Sequence, residues 1–359
     1  MNKIKVGVIG LGPRGTYLYS LAANNPAVVP AAVCDPIPEK MDAMCERLAP
    51  AAPRKYTDYH DMLASDIDAV IVATGVDTHA DIAADCLYAK KHVLCEIPNI
   101  ASIEQARTLA RACRENPEAK FMVAENCCYW AFIQSWKKMY EDGMLGDIVF
   151  AEADYLHEAR SFMPEDSLTW RSHMPAVTYL THDLGPLLYI LGDTCDEISG
   201  FTPDINPISS YYIAPPNGVC MVKTKKGTLI KIFIGFGMRH CSSHNFILYG
   251  SKGSVENERH GDQSERKTIA TLDCIPNMHS REVTLPLTTG FPGADKSGHG
   301  GADSRMMNDF VRCIAEDRKP ALDIEFGLNI ALPGILADKS SHESGKMYKM
   351  PSVADMLAE

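Results

Sequence analysis

The tightest constraint on this chain lies in its first thirty-five residues. Ile4-Lys5-Val6-Gly7-Val8-Ile9 is a short β-branched run that feeds directly into Gly10-Leu11-Gly12-Pro13-Arg14-Gly15. A helical stretch follows to about Asn24, then a second strand, Val28 to Cys34, which ends in Asp35. Three glycines at this spacing mean little alone. Between a strand and a helix, with an acid closing the next strand, they form a phosphate cradle. Gly10 permits the tight turn, Gly12 lets the backbone approach a pyrophosphate, and Gly15 lets the helix pack closely. The free N–H groups and positive dipole of the helix start suit the phosphates, and Arg14 adds charge beside them. Asp35 can accept bonds from both adenosine ribose hydroxyls and would repel a 2′-phosphate, so the implied cofactor is NAD rather than NADP.

Strand and helix patterns keep alternating to about residue 125. Ala69 to Ala73 is a strand leading into Thr74-Gly75, and an alanine-rich helix runs from about His79 to Ala89. His92 to Cys95 and Phe121 to Ala124 are further strands, with a helix from Ile103 to Arg114 between them. Such alternation specifies a doubly wound parallel sheet, a Rossmann domain over residues 1–125. Beyond Glu125 the grammar changes. A helix from Ala131 to Glu141 is followed by an alternating strand over Asp147 to His157, and strands predominate from about Ile198 to Val283. Gly250-Ser251-Lys252-Gly253 is a hairpin signal, Thr288 to Gly301 reads as a polar loop, and two helical patterns cover Ser304 to Ala315 and Glu325 to Asp338. Residues 126–359 thus read as an α+β domain on an open, mostly antiparallel sheet. The last segment, about 325–359, is expected to pack back on the first domain.

Composition narrows the function classes. The chain has 359 residues, which favours two domains. Its 46 acidic and 35 basic side chains leave a formal net charge of −11, which argues against a partner that needs a basic face, such as nucleic acid. No apolar run approaches the ~18 residues of a membrane span, and the N-terminus enters a strand without a signal-peptide pattern. Twelve cysteines carry no C-x-x-C spacing, and Cys127-Cys128 is their only close pair. They read as buried, reduced thiols of a cytoplasmic protein with no metal site.

Val70-Ile71-Val72-Ala73-Thr74, Thr78-His79 and Lys91-His92-Val93-Leu94-Cys95-Glu96-Ile97-Pro98 together resemble the Gfo/Idh/MocA family over nearly the whole chain. That resemblance implies NAD binding by the first domain and a small sugar-like substrate on the second, with Thr74, His79, Glu96 and Asn126 near the cofactor. Ordinary dehydrogenases of the family carry a lysine where Ile97 stands, and an aspartate where Thr178 stands, four residues before the histidine matched by His182. A narrower set of motifs resembles glycoside hydrolase family 109, whose NAD-dependent glycosidases also lack the lysine. These are Glu125-Asn126-Cys127-Cys128-Tyr129, Tyr155-Leu156-His157-Glu158-Ala159-Arg160, Trp170-Arg171, Tyr179-Leu180-Thr181-His182 with Leu184-Gly185-Pro186, and His299-Gly300-Gly301. Where that family has histidine-glycine-leucine-glycine-proline, this chain has Asp183 after the histidine.

The narrower resemblance implies a redox-neutral cleavage. C3 of the sugar is oxidised, the ketone acidifies the C2 proton, the aglycone leaves by elimination, water adds, and C3 is reduced again. The cofactor supplies the hard step and the protein moves protons. No carboxylate pair suited to direct hydrolysis stands out. His182, with an ordinary pKa near 6.5, is the base for the 3-hydroxyl. Tyr179 lies three residues earlier and shares its face if that segment is helical. Tyr155 and His157 sit two apart on a strand and share a face. Tyr155 is the C2 base, while Glu125 and His157 are candidates for the leaving-group proton and for water activation. Arg160, Trp170, Arg171, His173 and His299 are candidate substrate-pocket residues. An NAD-linked sugar or inositol dehydrogenase and a silent sugar sensor are the competing readings, and relatives' use of the open sheet face implies a homo-oligomer.

Overall fold

The computed structural model describes residues 3–161, 169–210, 212–240, 242–259, 267–275, 281–283, 298–352 and 356. The stretch expected to be a loop over 288–301 lies outside them as far as residue 297. Six parallel strands form the first sheet: β1 (Ile4–Ile9), β2 (Val28–Cys34), β3 (Arg54–Tyr56), β4 (Ala69–Val72), β5 (His92–Cys95) and β6 (Phe121–Val123). Helices α1 (Pro13–Ala23), α2 (Pro38–Arg47), α3 (Tyr59–Leu63), α4 (Val76–Tyr88) and α5 (Ile103–Glu115) connect them. The strand order is 3-2-1-4-5-6, so the order in which strands are added reverses between the parallel β1 and β4 and opens a crevice above their C-terminal ends. All four residues of β4 are buried, which is why its sequence is a continuous apolar run rather than an alternating one.

After α6 (Ala131–Glu141) the second sheet begins with β7 (Ile148–Leu156), and α7 (Thr181–Leu191) follows. The sheet continues through β8 (Cys195–Phe201), β9 (Asn217–Thr224), β10 (Leu229–Gly235), β11 (Ser243–Gly250), β12 (Gly253–Asn257), β13 (Thr268–Leu272) and β14 (Arg281–Val283). Helices α8 (Gly298–Ala315) and α9 (Ile324–His342) and the short β15 (Tyr348–Lys349) complete the chain. Nine strands run in the order 14-13-12-11-7-10-9-8-15, and among them only the β7–β10 pairing is parallel. One face carries α7 and the core. On the other, Phe150, Leu229 and Tyr249 come level with one another, and Leu229 and Tyr249 are exposed. Among the described residues no helix is long and apolar enough to cross a membrane.

Two late helices join the halves. Helix α8 lies along α1, where Asn25 Nδ2 donates to Asn308 Oδ1 at 2.8 Å. Helix α9 reaches α5 and β6 on one side and β8 on the other, while β15 pairs with β8. The contact with the first domain expected of residues 325–359 is therefore shared between α8 and α9. At Gly200 of β8 the two elements come very close: a Cβ there would overlap the carbonyl oxygen of Ala337 in α9. Gly200→Ala should force these elements apart at about 1–3 kcal/mol. Thermal melts should show a midpoint lower by several degrees, and an unchanged melt would contradict this packing.

Candidate active site

The glycine turn after β1 is built for close approach. Gly10 has φ +90°, a conformation that side chains rarely adopt, and a Cβ on Gly15 would overlap the Gly10 carbonyl oxygen. Gly12, by contrast, faces open space, with nothing within 4 Å of the place a Cβ would occupy. It is also the N-cap of α1 and offers no side-chain cap, so the first N–H groups of the helix remain available to an anion. Asp35 is buried and fastens the turn: its Oδ2 accepts from Leu11 N at 2.8 Å and its Oδ1 from Ile37 N at 3.0 Å. A bare glycine backbone, an open helix start and a carboxylate with spare lone pairs fit a dinucleotide. Gly12 and the α1 N-terminus would hold the pyrophosphate and Asp35 the adenosine ribose.

A cavity of about 500 Å³ opens from Gly12 toward the second sheet. Of the residues singled out from sequence, it is lined by Gly12, Arg14, Thr74, His79, Glu96, Asn126, Tyr155, His157, Trp170, Arg171, Tyr179, His182 and His299. Gly10, Gly15 and Asp35 stand behind the turn. Glu125 lies behind His182, Arg160 is ion-paired with Glu158, and His173 lines a second cavity of about 390 Å³ on the far side of Trp170. Ile97 lines the main cavity, whereas Thr178 faces the second one and its hydroxyl donates to Pro175 O at 2.7 Å.

At the cofactor end, Arg14 is engaged rather than solvated. Its Nε and Nη2 donate to Glu96 Oε1 at 3.0 and 2.8 Å, and Nη2 also reaches Asp303 Oδ1 at 2.9 Å. Asn126 Nδ2 donates to the same Asp303 oxygen at 3.0 Å, and His299 Nδ1 lies 2.6 Å from Oδ2. Burial alone would push the Asp303 carboxyl up; its bond to His299 and the charge of Arg14 overcome this and hold it well below the usual carboxylate range. His79 ties two loops, with Nδ1 2.9 Å from Pro98 O and Nε2 3.2 Å from Thr74 O. Thr74 Oγ1 sits 2.7 Å from Thr78 Oγ1. Asp303 escaped the sequence reading; the two meet because the chain turns sharply through positive-φ His299, Gly300 and Gly301 just before it, which the His-Gly-Gly run alone does not reveal.

At the other end, His182 Nδ1 lies 2.8 Å from Glu125 Oε1, and Glu125 is completely buried. A carboxylate only accepts, so Nδ1 donates and Nε2 is the nitrogen left for the cavity. Tyr179 and His182 lie on different elements: Tyr179 ends a 3₁₀ turn and His182 stands in the first turn of α7, with ring centroids 5.4 Å apart. Arg171 donates to the Tyr179 hydroxyl at 3.1 Å. Tyr155 packs edge-on to His182 at 5.4 Å and beside His157 at 5.8 Å. Burial pushes the Tyr155 phenol well up, while burial and the charge of Arg171 push His157 down to about 4. His157 is therefore neutral near pH 7. Glu125, Cys127 and His182 also bring three possible metal-ligand atoms within 4.8 Å of one another. Burial holds the Cys127 thiol protonated, and the bond between Glu125 and His182 accounts for their meeting.

A parallel nucleotide-binding sheet whose crevice ends against histidine and tyrosine side chains of a second sheet defines a two-domain, dinucleotide-dependent protein of the oxidoreductase type. Residues 4–125 match the family described as "Oxidoreductase family, NAD-binding Rossmann fold", and residues 133–256 match the "GFO/IDH/MocA C-terminal domain". The chain belongs to the Gfo/Idh/MocA family, and its cofactor is NAD. It is 25% identical to a "Glycosyl hydrolase family 109 protein" of Shewanella pealeana, a match covering 98% of this chain and 85% of that protein. It is 24% identical, with the same coverage, to an "Alpha-N-acetylgalactosaminidase" of Shewanella oneidensis. In fold it is similar to levoglucosan dehydrogenase solved with NADH and levoglucosan, with TM-score 0.85, 20% identity, and 98% and 100% of the two chains covered. An oxidoreductase domain protein from Kribbella flavida gives 0.84 at 22% identity over the same shares.

Two measurements probe the cofactor end. Fluorescence titration should show NADH bound at least about 100-fold more tightly than NADPH. Asp35→Asn, by removing the charge while keeping an acceptor, should erase most of that ratio; a ratio unaffected by the substitution would remove Asp35 from the ribose site. Asp303→Asn should cost about 3 kcal/mol in denaturant unfolding, because it leaves the Arg14 charge poorly matched. The folded-state carboxyl is depressed, so its contribution is complete above the unfolded value of about 4. The stability gap between wild type and variant should stay constant above about pH 5 and shrink on acidification below about pH 4. A gap that widens there would contradict an ionised Asp303.

Proposed function

We propose that the protein is an NAD-dependent glycosidase that cleaves a glycoside by transient oxidation at C3, elimination across C1 and C2, water addition and re-reduction. The observation that carries this reading is the convergence of His182, Tyr155, Tyr179 and His157 on one cavity opposite the phosphate cradle. A single alcohol oxidation needs one proton acceptor. A C–H removal followed by loss of an aglycone needs several. When bound, NAD⁺ supplies the site that accepts a hydride from the sugar carbon and later returns it.

The side chains divide the proton work. His182, oriented by Glu125, takes the proton of the 3-hydroxyl through Nε2. Glu125 does not line the cavity, so it acts as a positioning residue rather than as the acid for the leaving group. Tyr155 removes the C2 proton that the ketone has acidified. Tyr179, held by Arg171, hydrogen-bonds the sugar beside His182. His157, neutral near pH 7, is suited to take a proton from the incoming water rather than to give one to the aglycone. Trp170, with the Arg171 guanidinium 4.8 Å from its ring, offers a flat wall for a sugar or aglycone. Among the described residues, Ile97 puts an apolar group where ordinary family dehydrogenases carry a lysine. The relatives named as family 109 hydrolases and as an α-N-acetylgalactosaminidase support the same reading. The apolar level formed by Phe150, Leu229 and Tyr249 supports a homo-oligomer through the open sheet face.

Nitrophenyl glycosides incubated with the protein and NAD in D₂O test the proposal. The expected result is aglycone release, deuterium at C2 and no stoichiometric NADH. Steady NADH formation with intact glycoside would replace it with a dehydrogenase, and binding without turnover with a sensor. His182→Ala should lower turnover by about 10²- to 10⁴-fold while leaving NAD affinity within about twofold; undiminished turnover would remove His182 from the chemistry.

A further inference from the structure

The proposed reaction leaves unexplained how Tyr155, whose phenol burial pushes well up, gives up its proton near neutrality. Three neighbouring side chains at the cavity wall bear on this. Asp183 follows His182 in the first turn of α7 and is completely buried, and neither of its carboxylate oxygens has a hydrogen-bond partner among the described residues. The one basic group within 4.0 Å of it, among those residues, is His244 of β11, whose Nδ1 lies 3.7 Å from Asp183 Oδ1. His244 is buried too, and its ring lies on the Tyr155 ring with centroids 4.0 Å apart and planes 15° apart. His244 and Tyr155 thus stack, Asp183 stands beside the Nδ1 edge of His244, and Tyr155 lines the cavity.

The other titratable groups facing Asp183 are Glu125 and Cys127 ahead of α6, Asp154 and Tyr155 of β7, and Cys220 of β9; none is basic. Burial, reinforced by Asp154 and Glu125, pushes the Asp183 carboxyl well up, and a carboxyl buried with no donor to either oxygen among the described residues favours its neutral, proton-carrying form. A phenolate at Tyr155 would need a counter-charge inside the same layer, and a stacked imidazolium is one.

We propose that Asp183 and His244 are positioning residues for Tyr155: when Tyr155 releases its proton, the proton held by Asp183 passes to His244 Nδ1, leaving a carboxylate and setting an imidazolium against the phenolate ring. One O–H bond breaks on Asp183 and one N–H bond forms on His244. The pair neither gains nor loses a proton, and the Tyr155 proton leaves to solvent. The purpose of this exchange rests on the glycosidase reading, whereas the exchange itself is a property of the three side chains.

The test is NMR titration of the full-length protein with NAD bound, labelled with ¹³Cζ-tyrosine and ¹⁵N-histidine, with Tyr155→Phe and His244→Gln used to assign the two signals. As pH rises and Tyr155 ionises, His244 should become doubly protonated, the reverse of ordinary histidine behaviour. In Asp183→Asn, His244 should stay neutral through that range, and the Tyr155 midpoint should rise by at least about one pH unit. Three results would overturn the proposal: His244 gaining its proton only on acidification, a Tyr155 midpoint unmoved in Asp183→Asn, or no Tyr155 ionisation in the wild-type protein. A variant that fails to fold leaves the wild-type titration decisive. Reciprocal titration without aglycone release would remove the glycosidase reading and keep the exchange. Release without reciprocal titration would do the opposite.

Discussion

The buried carboxylate of Asp303 is the interaction on which the geometry of the site depends. It stands at the start of α8, a late element, yet it binds Arg14 of the glycine turn, Asn126 just past β6 and His299 four residues before it. Arg14 in turn holds Glu96 after β5. One charge thus fixes the cofactor end against three segments far apart in sequence. The cost of burying it is met by two cationic or proton-donating partners and an amide, the condition under which a buried charge is tolerated. His299, Gly300 and Gly301 all adopt positive φ at this point, so the chain turns sharply into α8 and brings the His299 ring back over Asp303.

Burial sets the proton inventory at the sugar end. The whole chain is acidic, but the cavity wall is not: Arg171 is its fixed charge there, and the histidines and tyrosines around it are the groups able to exchange protons. Low exposure lowers His157, raises Tyr155 and keeps the Cys127 thiol intact, while His182 is steered by an acceptor too deep to meet substrate itself. Each group is therefore biased toward one role by its depth and neighbours, as expected where proton transfers must occur in sequence.

Much of this was legible in the sequence because local chemistry dictates it. The β1 turn, Gly12 and Asp35 belong to one short βαβ unit, so spacing alone places them. The α6 helix and the hairpin between β11 and β12 likewise follow from periodicity and turn residues. Long-range meetings left no such trace. His244 reaches Tyr155 because β11 pairs antiparallel with β7 and puts the two residues directly opposite. A register of that kind cannot be read from either strand alone. His173 and Trp170 sit three apart in one 3₁₀ turn and share a face, so both line the second cavity; only Trp170, whose large ring divides the two, also reaches the main one. Arg160 follows a strand whose end residues face the cavity, but its charge is taken by Glu158 two positions earlier.

The departures at Ile97 and Asp183 can be understood together. A lysine at position 97 would bring an ammonium to the cavity near the phosphate cradle, where it could share the hydroxyl proton with His182 and stabilise the charge left behind. Ile97 puts an apolar side chain at that point instead, so His182 has Glu125 as its charged partner and no ammonium from this position. Charge stabilisation is then needed elsewhere in the cavity, and the group requiring it most is the phenol that burial disfavours as an anion. Asp183 adds a buried acid beside the Nδ1 of His244, the ring stacked on that phenol, where it does not line the cavity and can still alter the charge next to Tyr155. On the proposed glycosidase reading, a lysine would serve the carbon being oxidised, whereas the Asp183–His244 pair would serve the neighbouring C–H bond, so the charge that assists proton transfer sits at the place of elimination rather than at that of oxidation.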